Sequence, residues 1–198
     1  MANEYRSARR FKNPPPLFRW ADAQGYFSEP ADALVFGAGL LREAIELSDR
    51  DWRVDVLETR DSIERREGPY GEFAKRSGCR VITTLDEARP RYRVITATHV
   101  FEFIENTSDR DNLLRGLADR LAKSGFLLVS LRGWPDVLAA KTATPQGDGV
   151  ITGIGTWTRG YSMKDALDFL SPAGLRIVAG PPGGHAKRPE QVRLICQR

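Results

Sequence analysis

Cysteine and histidine are scarce in this chain, with only Cys79, Cys196, His99 and His185 among 198 residues. The cysteines lack the paired spacing that holds zinc, and two histidines do not make a protein-built metal centre, so no metal is expected. Two isolated cysteines also exclude a disulfide scaffold and agree with a reducing, cytoplasmic setting. No stretch approaches the run of about 20 apolar residues that crosses a bilayer. The first residues carry no apolar targeting core, so the expectation is a soluble protein with no membrane partner. An excess of one charge is missing too: 30 Lys and Arg against 26 Asp and Glu leave +4, and the two signs are interleaved. The densest basic stretch, Arg6, Arg9, Arg10, Lys12 and Arg19, is answered only by Glu4. It reads either as a solvated arm or as a contact for a polyanion or acidic substrate.

What is present suffices for one sizeable core: 41% of the residues are hydrophobic, and a chain of this length is most simply one domain. Residues 1–30, with "NPPP" and several aromatics, read as an N-terminal arm, extended or broken into short helices; 31–198 read as the domain. From residue 33 the periodicity alternates between short apolar runs and helical spacing, the pattern of strands joined by crossover helices. Strands are expected at 33–37, 52–58, 79–85, 93–100, 126–132, 175–180 and 191–197. The helix after the first should bury Leu41, Ala44, Ile45 and Ser48 and expose Arg42, Glu43 and Glu46. Residues 68–78 read as a short helix bounded by glycines. Ser108 with Asp111 has the spacing of a capping box for a helix burying Leu113, Leu114, Leu117, Ala118 and Leu121 and ending at Ser124-Gly125. Ser162 with Asp165 repeats it ahead of Ala166, Leu167 and Leu170. Residues 133–160 lack periodicity and read as a long functional excursion. The last two strands are too close for a crossover helix and should form an antiparallel hairpin with a loose tip.

"ALVFGAGLLREA" (33–44) places a small-residue turn between a buried strand and a helix. Gly37 and Gly39 permit a tight turn and close backbone approach to a ligand. In a doubly wound sheet that turn lies at the carboxyl ends of the strands, where ligands bind. Glu58 ends the second strand 21 residues after Gly37, where a carboxylate can accept from both hydroxyls of an unphosphorylated adenosine ribose. The nicotinamide fingerprint wants a third glycine where this chain has Arg42. A ligand without phosphates has no such need, which favours S-adenosylmethionine over a dinucleotide.

The stretches "ALVFGAGLLREA", "WRVDVLE", "RVITATHVFEFIE" and "LADRLAKSGFLLVSLRG", in this order, resemble the glycine motif, acidic motif, fourth-strand motif and turn before strand five of class I S-adenosylmethionine-dependent methyltransferases. The resemblance covers about residues 33–133. It implies an α/β three-layer sandwich with a seven-stranded, mostly parallel sheet ordered 3-2-1-4-5-7-6, strand seven antiparallel. It further implies that Gly37, Ala38 and Gly39 lie along the methionine moiety and Glu58 on the ribose. Thr84, Leu85 and Asp86 would adjoin the adenine, and Thr98 and His99 the sulfonium. The chain departs from the family pattern at Arg93, where many members have an acidic residue, and at Leu34 and Val35, which replace the leading acidic residue of the glycine motif.

Methyl transfer gains much of its rate from proximity, so a protein base is optional. For a hydroxyl or amine acceptor the candidates are His99, Glu102, Asp148, Tyr161 and His185. Trp134, Trp157, Arg159 and Tyr161, in the excursion after strand five, can supply a stacking wall and an anion clamp for a planar or acidic small molecule, or can simply close a hydrophobic flap. "NPPP" at 13–16 resembles the Asn-Pro-Pro-aromatic loop of amino-methylating nucleic-acid enzymes, but Pro16 occupies the aromatic position and the segment precedes the glycine motif. The leading expectation is a methyltransferase acting on a small molecule. The alternatives are a nucleic-acid methyltransferase, a catalytically silent domain that binds a protein partner, and a nicotinamide-dependent oxidoreductase.

Overall fold

Ala33, Leu34, Val35 and Phe36 are apolar without alternation because both faces of their strand are covered, as in the interior of a parallel sheet. They form β1 (Asp32–Phe36), followed by β2 (Arg53–Leu57), β3 (Arg80–Ile82), β4 (Tyr92–Thr98), β5 (Leu121–Arg132), β6 (Thr144–Gln146), β7 (Gly149–Ile151), β8 (Trp157–Thr158), β9 (Arg176–Ala179) and β10 (Gln191–Gln197). The structure is a computed structural model that describes residues 14–139, 143–181 and 191–198. His185, most of the expected hairpin tip and the basic residues Arg6, Arg9, Arg10 and Lys12 lie outside the described residues, as does Asn13.

Seven strands hydrogen-bond in the order β3-β2-β1-β4-β5-β10-β9. This is the expected 3-2-1-4-5-7-6 order with three inserted strands counted along the chain. β1 pairs in parallel with β2, and β2 with β3. β10 runs antiparallel to both β5 and β9, which is the expected reversal of the last strand. Cys79 and Cys196 are both free thiols. Among the described residues no helix is long and apolar enough to cross a membrane.

The chain divides into two compact units, one running to Thr96 and including Arg120–Gly125, the other comprising Ala97–Asp119 and Phe126–Arg198. In the first, helix α1 (Pro16–Ala23) starts on a proline, whose missing N–H costs nothing at a helix start. It buries Leu17, Phe18 and Ala21, and burying Leu17 and Phe18 contributes about 1.5–3 kcal/mol each. Phe18 stacks on Phe27, which meets Trp52 edge-on. Asp22 pairs with Arg50 through two bonds, at 2.5 and 2.9 Å. Beyond α2 (Arg42–Ser48), α3 (Arg60–Arg65) and α4 (Glu67–Ala74), the unit carries a buried ionic knot at Asp55 on β2. Arg80 binds both carboxylate oxygens, at 2.9 and 2.5 Å, the Tyr92 hydroxyl donates at 2.5 Å and Arg89 completes the set. Burial pushes the Asp55 carboxyl up, but Arg80, Tyr92 and Arg89 outweigh it and hold it below the usual aspartate range.

The second unit holds α5 (Thr107–Asp119), α6 (Trp134–Leu138) and α7 (Met163–Leu170), with β6, β7 and β8 forming a small antiparallel sheet. Phe101, Phe169 and Tyr161 cluster in its core. The capping box at α7 is present as expected: Ser162 Oγ accepts from Asp165 N at 3.1 Å, and Asp165 Oδ2 accepts from Ser162 N at 2.7 Å.

Five local expectations need correction. Glu43 is buried, not exposed, because its Oε2 accepts from Thr96 Oγ1 at 2.9 Å. The cap of α5 is Asn106, whose Oδ1 accepts from Asp109 N, and not Ser108. That helix ends at Asp119, and Leu121–Gly125 extend β5 toward its amino end, so Leu121 and Ser124-Gly125 belong to the strand. Residues 133–160 are no plain excursion; they contain α6 and the β6–β8 sheet. Leu167, expected on the buried face of α7, is exposed.

Candidate functional site

In the first unit the chain leaves β1 through a turn that needs glycine. Gly37 and Gly39 have φ of 66° and 52°, and Leu41, at the entry to α2, has 58°. Left-handed backbone is unstrained only for glycine, so this segment holds a conformation that most sequences avoid. A methyl group built on Gly39 would meet no atom nearer than the Gly37 carbonyl at 4.0 Å. The turn therefore presents open backbone.

Glu58 follows β2 directly and its carboxylate reaches that turn. Oε2 accepts from Gly39 N at 3.4 Å and from the Tyr70 hydroxyl at 3.3 Å, while Oε1 accepts from Thr59 N at 2.9 Å. A carboxylate offers about four lone-pair sites, and the two bonds on Oε2 are long for a charged acceptor. Glu58 thus has capacity for further donors, as a ribose diol requires. Thr84, Leu85 and Asp86 follow β3, with Leu85 and Asp86 inside a short 3-10 turn, Leu85–Glu87. Thr83 and Thr84 both donate, from hydroxyl and backbone N–H, to Glu87 Oε1 at 2.9–3.1 Å. These bonds, those from Thr83 first, hold the Glu87 carboxyl below its usual range. Arg93 is engaged with the Ser124 hydroxyl at 2.5 Å and with the Ser124 carbonyl.

In the second unit Thr98 ends β4 and His99 follows with φ 55°, a rare value for a residue with a side chain. Its N–H donates to Ser130 O at 2.9 Å, so the strained residue is held in place by β5. His99 Nδ1 lies 2.9 Å from Glu102 Oε1. Glu102 is wholly buried in the 3-10 turn Phe101–Phe103, while the imidazole is 30% exposed. Arg159 N donates to the Glu102 carbonyl at 2.9 Å, tying β8's exit to this turn. The Arg159 guanidinium sits 4.9 Å from the Tyr161 ring centre and also binds Asp148. Asp148 Oδ2 is shared with Arg110 at 2.7 Å, a guanidinium buried on α5 and facing the Trp157 ring. Trp157 is itself buried and donates from Nε1 to Gln146 O at 3.2 Å. Trp134 begins α6 and is so close to Gly160 that any side chain there would collide with it.

Four buried polar atoms in this unit have no hydrogen-bond partner within the described residues: Glu102 Oε2, Thr158 Oγ1, Arg159 Nε and Tyr161 OH. Buried polar atoms without a protein partner are uncommon in folded interiors. Burial pushes the Tyr161 hydroxyl up to about 12, against the opposing pull of Arg110 and Arg159. It stays a donor.

The structure thus groups the expected residues as follows: Gly37, Ala38, Gly39 and Glu58 at one turn, and His99, Glu102, Asp148, Trp157, Arg159 and Tyr161 in one polar network. Tyr70 and Arg110 carry much of this arrangement and were not expected from the sequence. The helical spacing of Tyr70 and Phe73 signals a buried face, but nothing local reveals what the tyrosine hydroxyl reaches.

No protein-family model matches the sequence, and no curated protein matches it. Solved structures do. An S-adenosylmethionine-dependent methyltransferase from Clostridium acetobutylicum superposes with a TM-score of 0.70 at 10% identity, over 91% of this chain and 89% of that one. The 1,6-didemethyltoxoflavin-N1-methyltransferase of Burkholderia thailandensis, bound to 1,6-didemethyltoxoflavin and S-adenosylhomocysteine, gives 0.69 at 15% identity, over 100% and 84%. The CcbJ methyltransferase of Streptomyces caelestis gives 0.67 at 16% identity, over 94% and 91%.

Proposed function

We propose that this chain, whose fold is that of the class I S-adenosylmethionine-dependent methyltransferases, is itself such an enzyme and methylates a small molecule. The observation that carries this reading is the link between the left-handed turn at Gly37–Gly39 and the Glu58 carboxylate. It joins backbone free of side chains to an acidic acceptor at the place where the fold binds ligands.

In this reading Gly37, Ala38 and Gly39 line the methionine moiety and Glu58 accepts from the ribose hydroxyls. Thr84, Leu85 and Asp86 adjoin the adenine. S-adenosylmethionine, when bound, supplies a methyl group already activated by its sulfonium. The chain's own contribution is to orient the acceptor and manage its proton. A carboxylate can only accept, so the His99 Nδ1 proton points to Glu102 and fixes the imidazole tautomer, leaving Nε2 to take a proton from the acceptor. Tyr161 and Trp157 are buried and back this network from behind, and the partly exposed Trp134 and Arg159 shape the acceptor's binding surface. Asp148, shared by two guanidinium groups, anchors the β6–β8 sheet and is not free to act as a base. Arg159 is partly neutralised by that same carboxylate, which favours a neutral polar acceptor over a strongly anionic one.

The test is transfer of label from methyl-labelled S-adenosylmethionine to a panel of small hydroxyl- and amine-bearing aromatic metabolites, with Glu58→Ala as control. Transfer that the control abolishes supports the reading. NADH binding with no affinity for S-adenosylhomocysteine would move the assignment to an oxidoreductase.

A further inference from the structure

Tyr70 is about 1% exposed on α4, yet its hydroxyl reaches out of the core to two groups of the glycine turn and acidic motif. It lies 3.2 Å from the Gly39 carbonyl and 3.3 Å from Glu58 Oε2. Gly39 N donates to that same oxygen, so three residues from three separate segments close a ring of hydrogen bonds. A phenol has one proton, and the bond to the charged Oε2 is the stronger of its two choices. Burial and the Glu58 charge push the Tyr70 hydroxyl well above the usual tyrosine range, outweighing Arg66. It is therefore a permanent donor. Packing alone would be served equally by phenylalanine, because the ring is what fills the core.

We propose that Tyr70 is a positioning residue for the adenosyl cofactor, fixing the Glu58 carboxylate and the Gly39 backbone in the arrangement that receives the ribose. The inference rests on the methyltransferase reading above. With Tyr70 in place the carboxylate keeps one rotamer before the ligand arrives, and the cost of ordering it is not charged against binding. Without the hydroxyl, Glu58 is free to turn toward water.

The experiment is a double-mutant cycle read by calorimetric titration with S-adenosylhomocysteine, with melting temperature recorded for each protein. Tyr70→Phe is expected to weaken binding about ten-fold, the range for a hydrogen bond to a charged group. In a Glu58→Gln background the same change is expected to cost about three-fold or less, because the two side chains act through one contact. A tyrosine that merely packs would give losses that multiply independently, or a lower melting temperature with unchanged affinity. Either result overturns the proposal. A second readout needs no loss of the hydroxyl: 3-fluorotyrosine placed at position 70 alone is expected to shift its fluorine resonance on saturation with S-adenosylhomocysteine, and an unmoved resonance overturns the proposal. Wild-type protein that is folded but binds no S-adenosylhomocysteine overturns the methyltransferase reading together with this one. Wild-type binding that Tyr70→Phe leaves intact overturns this one alone.

Discussion

His99 Nδ1 lies 2.9 Å from Oε1 of a glutamate, Glu102, whose side chain is completely buried. The pair joins a backbone-strained histidine to a carboxylate whose second oxygen has no partner among the described residues. Such an arrangement is expensive to keep for packing alone. It fits an imidazole held in one tautomer for proton transfer. With the acceptor in hand, Glu102→Gln is expected to lower kcat/KM by about 100-fold, the lower range for general-base catalysis. Affinity for S-adenosylhomocysteine should be unchanged. Steady-state kinetics beside a binding titration checks this, and equal losses in both would assign Glu102 a structural role.

Asp55 sets the acid stability of the first unit. Burial opposes its charge, but Arg80, Tyr92 and Arg89 hold its folded-state carboxyl below the usual value of 3.8. A depressed folded value means the contribution is fully present above the unfolded value and is lost as pH falls below it and through the folded one. Wild-type stability should therefore fall below pH 3.8 partly on account of Asp55. Asp55→Asn should lose about 3–5 kcal/mol at neutral pH, the cost of breaking a buried ion pair, and should show a flatter acid limb. Urea titrations from pH 7 downward check both.

Gly39→Ala separates stability from ligand approach. The new methyl group has room, with Gly37 O 4.0 Å away, so the penalty in the free protein is the strain of a left-handed alanine, roughly 1–2 kcal/mol. Affinity for S-adenosylhomocysteine should fall more than ten-fold, because in the proposed reading the ligand lies against the turn's open backbone. Calorimetry and thermal melting on one preparation give both quantities.

Asp148 holds the β6–β8 sheet through Arg110 and Arg159. Asp148→Ala leaves the buried Arg110 guanidinium with the Ile104 carbonyl and the Thr107 hydroxyl as partners. The expected loss is about 1–3 kcal/mol. Amide exchange should speed up in Gly149–Ile151 and Trp157–Thr158, and uniform exchange across the second unit would argue against a local anchor.

The parts of the fold that rest on local pattern were legible in the sequence. Buried strands announce themselves as unbroken apolar runs, as in residues 33–36, and the Ser162–Asp165 box needs only three residues of context. The spacing from Gly37 put Glu58 at the end of the second strand, and its carboxylate does reach Gly39 N. What escaped depends on partners far along the chain. Glu43 looks like a surface residue until Thr96, 53 positions later, takes its carboxylate. The polar stretch Leu121–Gly125 becomes strand because of what it pairs with, not because of its own propensity. β6, β7 and β8 are two or three residues each, too short for any periodicity to register. Tyr70 and Arg110 read as helix-face residues, and only the fold reveals that their polar ends complete the two candidate clusters.

The most direct measurement is calorimetric titration of the folded protein with S-adenosylhomocysteine, with NADH as control and Glu58→Ala in parallel. The account predicts saturable binding of S-adenosylhomocysteine alone, strongly weakened in Glu58→Ala without loss of melting temperature. Folded protein that ignores S-adenosylhomocysteine, or binds it equally well without Glu58, would contradict the account.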